Sequence, residues 1–307
     1  MIRRMLFALA ATASIPLILG AQPVQAAPHA APSPTLIQMD HISVEVTGSG
    51  SPVILIPGLS SPRAAWDGVT PELAKRHSVY RVQVNGFGGD DPRGNLKSGV
   101  LDGIVADLHK LIETNKLKGA AVVGHSMGGL AGMMLAARHP ESVGRLMIVD
   151  ALPFFAVLMA PPGTDVTVAM VEPQAKMMRD AVVASYGKPA DPAAAEANVA
   201  SMTLKPENLP RLKGWAMASD PRVAGQAVYE DLTTDMRPEL AKITAPVTVV
   251  YAWNAKYPRE AQADAFFRSQ YKGLPNGSFV GLGEAAHFVM LDQPAMFQAA
   301  LTAFLAD

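Results

Sequence analysis

The sequence predicts an α/β domain with a helical insertion, and three observations carry that prediction. Short apolar, β-branched runs such as 120–123 and 247–251 alternate along the chain with helical patterns such as 99–115. Runs of this kind belong to strands covered on both faces by helices. Near the middle, Gly124-His125-Ser126-Met127-Gly128 joins one such run to a small-residue helix, a strand–turn–helix carrying G-x-S-x-G. From 151 to about 238 the strand pattern lapses and prolines recur between amphipathic, helix-like pieces. With 307 residues, 49% of them hydrophobic, the chain can bury one large core and still carry an insertion.

In chain order, the first segment lies outside the fold. Arg3 and Arg4 precede an apolar run from Met5 to Gly20, broken by Pro16 and followed by the small-residue site Val24-Gln25-Ala26. This predicts a secretory signal peptide over 1–26, too short and too broken for a membrane anchor, and then an extended leader over 27–39. The absence of cysteine excludes disulfides, thiolate chemistry and cysteine-anchored lipidation, and with export it fits a bacterial periplasm. A formal charge of −1 without basic clusters predicts no nucleic-acid partner.

The first part of the core, 40–150, opens with an alternating strand at 41–46 and an apolar one at 52–56. A helix over 64–76 and a strand over 78–84 follow, then the loop Asn85-Gly86-Phe87-Gly88-Gly89-Asp90-Asp91-Pro92. Asp90 and Asp91 stand without histidines, so they predict no metal site. Leu101, Ile104, Val105, Leu108, Leu111 and Ile112 keep a helical period; His109 between them reads as solvated or capping. A strand at 143–149 ends at Asp150. The insertion, 151–238, reads as a helical cap with pieces such as 171–186 and 193–202. Its methionines, at 159, 170, 177, 178, 202, 217 and 236, suit either an adaptable apolar pocket or simple packing of the cap. The core resumes over 239–307 with strands at 247–251 and 278–282 around a helix at 259–271, and a last helix at the end.

The chemistry is carried by two stretches. A serine between glycines on a strand-to-helix turn is lifted clear of the sheet and faces the free N–H groups of the helix start, as a nucleophile requires. After the last strand comes Gly283-Glu284-Ala285-Ala286-His287-Phe288, then Asp292-Gln293-Pro294. Of the seven histidines, His287 alone sits between the last strand and the last helix.

Together with Pro57-Gly58-Leu59 after the second strand, these motifs resemble the α/β-hydrolase superfamily over roughly 40–150 and 240–307. The resemblance implies a mostly parallel eight-stranded sheet flanked by helices, with Ser126 as nucleophile and His287 as general base. It further implies an oxyanion hole from the N–H groups of Leu59 and Met127, and no metal or organic cofactor. The chain departs from the family in two turns. Asn85 stands where an aspartate-led loop is common. The turn after the cap, Ala252-Trp253-Asn254-Ala255-Lys256-Tyr257-Pro258, lacks the usual acid. Some members carry the acid one strand earlier, the position of Asp150; Asn254 and Glu260 remain the alternatives. The expected substrate is a small, mainly apolar ester. A lactone, thioester, peptide N-terminus or carbon–carbon bond stays open as a substrate, as does a ligand-binding role without catalysis.

Overall fold

The computed structural model describes residues 35–306 except Ser98, Lys118, Pro162 and Tyr257. The segment expected to be a signal peptide, 1–26, and most of the expected leader lie outside the described residues. The end of the leader does not: Thr35–Gln38 forms β1, an edge strand paired antiparallel with β2 (Ile42–Gly48). β3 (Ser51–Ile56) leads into a 3-10 turn at Arg63–Trp66 and the short α1 (Thr70–Leu73). The single helix expected over 64–76 is therefore two pieces. Gly68 lies between them, and Pro71 has no N–H to continue a helix begun earlier, although it is well placed in the first turn of a new one.

β4 (His77–Val84), α2 (Val100–Asn115), β5 (Ala120–His125), α3 (Met127–Arg138) and β6 (Val143–Val149) follow as the sequence pattern predicts. The inserted region holds α4 (Val168–Val183), α5 (Pro192–Val199), α6 (Leu209–Met217) and α7 (Pro221–Thr233). The core then closes with β7 (Val247–Ala252), α8 (Glu260–Gln270), β8 (Gly277–Leu282), α9 (Val289–Asp292) and α10 (Pro294–Ala306). The strands form one sheet in the order β1-β2-β4-β3-β5-β6-β7-β8. β2 pairs antiparallel with β1 and β4, and every later pairing is parallel.

Strand alternation explains why the covered stretches of the central strands are apolar on both faces. Ile54, Ile56, Val122, Leu146, Ile148 and Val249 face one side, where α2, α3 and α8 cover them. Val53, Leu55, Val123, Met147, Val149 and Val250 face the other, under Trp66, Val289 and the Phe297, Leu301 and Phe304 stripe of α10. A parallel strand covered on both faces favours apolar residues at both alternates. All the parallel strands point the same way, so the loops after β3, β5, β6, β7 and β8 gather at one end of the sheet.

The methionines of the insertion depart from the pocket-lining expectation. Met159, Met170, Met177, Met178 and Met217 are exposed, while Met236 is buried. The five exposed ones line no enclosed cavity, and Met202 is half-buried against the core under α10. Asp90 ties its loop to β2, accepting from the Ser43 hydroxyl at 3.2 Å, and Asp91 closes its own turn, accepting from the Arg93 N–H at 2.8 Å. Among the described residues no helix is long and apolar enough to cross a membrane.

Candidate active site

The site grows from the end of β5. Ser126 has φ 54° and ψ −127°, a conformation that costs a residue with a side chain roughly 1–3 kcal/mol. Two devices hold it there. Its N–H donates to the Val149 carbonyl of β6 at 2.9 Å, and its own carbonyl accepts from the N–H of Gly129 at 2.7 Å. The turn closes only because Gly124 has no side chain: a Cβ there would lie 2.2 Å from the Gly128 carbonyl oxygen. Met127 opens α3, so its N–H is one of the first-turn donors without a partner inside the helix.

The loop after β3 lies directly against the elbow. A Cβ on Gly58 would stand 2.9 Å from Ser126 Cβ and 3.0 Å from His125 Nδ1. Gly58 is thus required by close approach, and it brings the half-buried Leu59 next to the serine.

Asp150, at the end of β6, also sits at positive φ, 46°. Its N–H donates to the Val250 carbonyl at 2.7 Å, and its Oδ1 accepts from the Ala252 N–H at 3.0 Å. The carboxylate is thereby clipped to β7, and Oδ2 is turned to His287 Nδ1, 2.7 Å away. A carboxylate can only accept here, so Nδ1 carries the proton and Nε2 keeps its lone pair. The pair remains within reach of solvent, with His287 26% and Asp150 15% exposed in their side chains. Beneath it, the fully buried Tyr271 donates its hydroxyl to the Ala151 carbonyl at 2.8 Å. Burial first, and the Asp150 charge second, push its phenol well above the ordinary range, so it stays neutral.

The two alternative orienters have other placements. Asn254 accepts from the Lys256 N–H at 3.0 Å and turns its amide toward the Ala285 carbonyl at 3.5 Å. Glu260 opens α8 at the surface. Asn85 is buried and holds the Met39 and Asp40 carbonyls at 3.0 and 2.9 Å, a structural brace for the β2–β4 end.

Two residues were not legible as site residues. His125 reads in sequence as a spacer of G-x-S-x-G. It is fully buried and donates Nε2–H to the His287 carbonyl at 2.9 Å, its ring 4.6 Å from the His287 ring. Burial, then the neighbouring His287, hold its pKa well below the ordinary 6.5, so it is a neutral strut between elbow and base loop. Asp292 is fully buried and accepts from the N–H groups of Ala286 and Leu204, both at 2.9 Å, and from the Thr203 hydroxyl. It pins the residue before His287 to the segment between α5 and α6. The same segment reaches this loop again, where the Phe288 N–H donates to the Met202 carbonyl at 3.0 Å, and Trp215 of α6 packs on Phe288. The only sequence signal for Asp292 is an acid two residues before Pro294, just after the histidine loop.

Residues 51–294 match the family model for the alpha/beta hydrolase fold. A pimeloyl-[acyl-carrier protein] methyl ester esterase of Aeromonas hydrophila is 30% identical over 122 residues, 40% of this chain and 46% of that protein. The chain spans less than half the length of the curated relatives it matches. An esterase from Thermogutta terrifontis superposes with a TM-score of 0.71 over 89% of this chain and 98% of its own, at 19% identity. An enol-lactonase from Burkholderia xenovorans LB400 does so with a TM-score of 0.69 over 87% and 96%, also at 19% identity. At that identity these two likenesses speak for the fold.

Proposed function

The chain belongs to the alpha/beta hydrolase fold family, and from that premise we propose that it is an exported serine hydrolase cleaving a small, mainly apolar carboxylic ester. The observation that carries this reading is the 2.7 Å hydrogen bond from His287 to Asp150, beside a serine held at positive φ. In the proposed reaction His287 Nε2 takes the Ser126 proton as Oγ bonds to the ester carbonyl carbon. The oxygen that becomes negative is held by the N–H groups of Leu59 and Met127. Collapse breaks the bond to the alkoxy oxygen, and His287 gives its proton to the departing alcohol. Water then attacks the acyl carbon, losing a proton to His287. The carboxylic acid leaves, and Ser126 regains its proton. Leu59, Met127, Phe288 and Trp215 give the surroundings an apolar character, which supports an uncharged acyl group. Export rests on the charged, apolar and small-residue pattern of 1–26.

The test is turnover of p-nitrophenyl esters of increasing acyl length. Short-chain esters are expected to turn over, with Ser126→Ala lowering kcat by roughly 10⁶. No turnover of any ester, by protein whose Ser126 still reacts with a fluorophosphonate, would refute the ester substrate. For export, full-length protein expressed in a Gram-negative host is expected in the periplasm with a new N-terminus near Ala27. An intact leader in the cytoplasm would contradict it.

A further inference from the structure

Away from the site, at the far end of α3, three potential metal ligands from separate stretches converge. His109 comes from α2, His139 is the residue that closes α3, and Glu141 lies in the 3-10 turn Pro140–Ser142 before β6. One ligand atom from each lies within 4.8 Å of the others. We propose that His109, His139 and Glu141 form a binding site for one divalent transition-metal ion of the zinc class, distinct from the catalytic centre.

The arrangement has the features of a built site. The two imidazoles are stacked, centroids 3.8 Å apart and planes 13° from parallel, which holds them together; one ring must turn for both in-plane lone pairs to meet at one ion. His109 Nδ1 is engaged by the Ser142 hydroxyl at 3.1 Å, which fixes the ring and leaves Nε2 as its free donor. Metal-bound histidines are held through the second nitrogen in this way. Ser142 is itself fully buried, and its N–H donates to the His139 carbonyl at 2.9 Å, so one residue positions both histidines. His139 Nδ1 and Glu141 Oε1 stand 3.9 Å apart, too far for a hydrogen bond. Ligands about 2.0–2.1 Å from a zinc ion fit that gap after a small closure, and the exposed Glu141 side chain is free to make it. The nearest cation in sequence, Arg138, is turned away to Asp102 on α2 at 2.7 Å. Two imidazoles with one carboxylate suit zinc, cobalt, nickel or copper rather than calcium or magnesium.

The twelve residues of α3 separate this cluster from Ser126, about 18 Å at the rise of an α-helix. The ion would not touch the chemistry. It would clip the end of the helix that begins at the nucleophile to α2, stabilising the fold in proportion to its binding.

The test uses tag-free, chelator-treated mature protein titrated with ZnCl₂ at pH 7.5 by calorimetry, with Tm measured in parallel. One equivalent is expected to bind and raise Tm by several degrees. His109→Ala and His139→Ala are each expected to weaken binding at least ~10-fold, Glu141→Gln less, while His287→Ala keeps it. His109→Gln serves as a second variant, preserving a planar group over His139 should the alanine variant unfold. Cobalt in place of zinc is expected to give a visible absorption band that vanishes in His139→Ala. No saturable binding, or binding at wild-type affinity in folded His109→Ala or His109→Gln, overturns the proposal. Loss of binding in His287→Ala alone would place the ion at the catalytic histidine and overturn it equally.

Discussion

Replacing Asp150 by asparagine tests the proposed triad through a single proton. The two carboxylate oxygens have different duties: Oδ1 accepts from the Ala252 N–H at 3.0 Å and Oδ2 from His287 Nδ1–H at 2.7 Å. An asparagine must keep its oxygen on the Ala252 N–H, because an NH₂ there would face another donor. Its NH₂ group then points at His287 Nδ1 and requires that nitrogen to accept. The imidazole proton moves to Nε2, the atom that must take the serine proton, and the base is blocked without loss of a hydrogen bond. The same substitution in the chymotrypsin triad lowers kcat by roughly 10⁴, about 5 kcal/mol of barrier. A drop of that order is expected here in p-nitrophenyl ester hydrolysis, with Tm and the far-ultraviolet circular dichroism spectrum close to wild type. Asn254→Ala, by contrast, is expected to stay within about threefold. If folded Asp150→Asn retained kcat within tenfold, the acid assignment and the tautomer argument would both fail.

Three further outcomes follow from the same geometry. Gly58→Ala puts a methyl 2.9 Å from Ser126 Cβ and displaces the Leu59 donor; kcat is expected to fall roughly 10²-fold with little change in Tm, and unchanged kcat would refute the close approach. Asp292→Ala leaves the N–H groups of Ala286 and Leu204 and the Thr203 hydroxyl without their acceptor. At the lower bound of about 1 kcal/mol for each, a Tm loss of roughly 6–12 °C is the least expected by calorimetry, and a loss under about 2 °C would rule out the pinning role. Asp231 is buried, its Oδ1 has no partner among the described residues, and burial raises its pKa from 3.8 to about 7. Between those values the folded state holds a proton that the unfolded state has released, so this group lowers stability as pH rises from about 4 to 7. Asp231→Asn is therefore expected to gain stability over wild type at pH 8, by up to roughly 4 kcal/mol, with little gain at pH 4; an equal gain at both would contradict the assignment.

What the sequence made legible was local and repetitive. The parallel strands are apolar on both faces, so 120–125, 143–149 and 247–252 announce themselves, and the elbow is a contiguous motif whose glycines are demanded by contacts under 3 Å. His287 could be found because its loop follows the last strand. Asp150 could be proposed but not chosen over Asn254 or Glu260, since the choice depends on which turn after a strand faces the histidine. β1 was hidden because Thr35–Gln38 is an exposed edge strand with little apolar signal, and residues of the leader give it no boundary. α6 and α7 are hard to bound in the sequence because prolines at 210 and 221 read as breakers, whereas both sit in the first turn, where proline is tolerated. The roles of His125 and Asp292 were illegible for a different reason. Each acts on a backbone group brought to it by the fold, 162 residues away for His125 and 88 residues away for Leu204 on Asp292.

The most direct measurement is fluorophosphonate labelling of the purified chain, followed by mass mapping of the modified peptide. The reaction requires a serine already activated by its base and needs no knowledge of the natural substrate. One adduct on Ser126 is expected, formed rapidly at neutral pH, slowed by orders of magnitude in Asp150→Asn and absent in His287→Ala. Folded wild-type protein that takes no label, or that labels equally fast in His287→Ala, would contradict the account of Ser126 as an activated nucleophile.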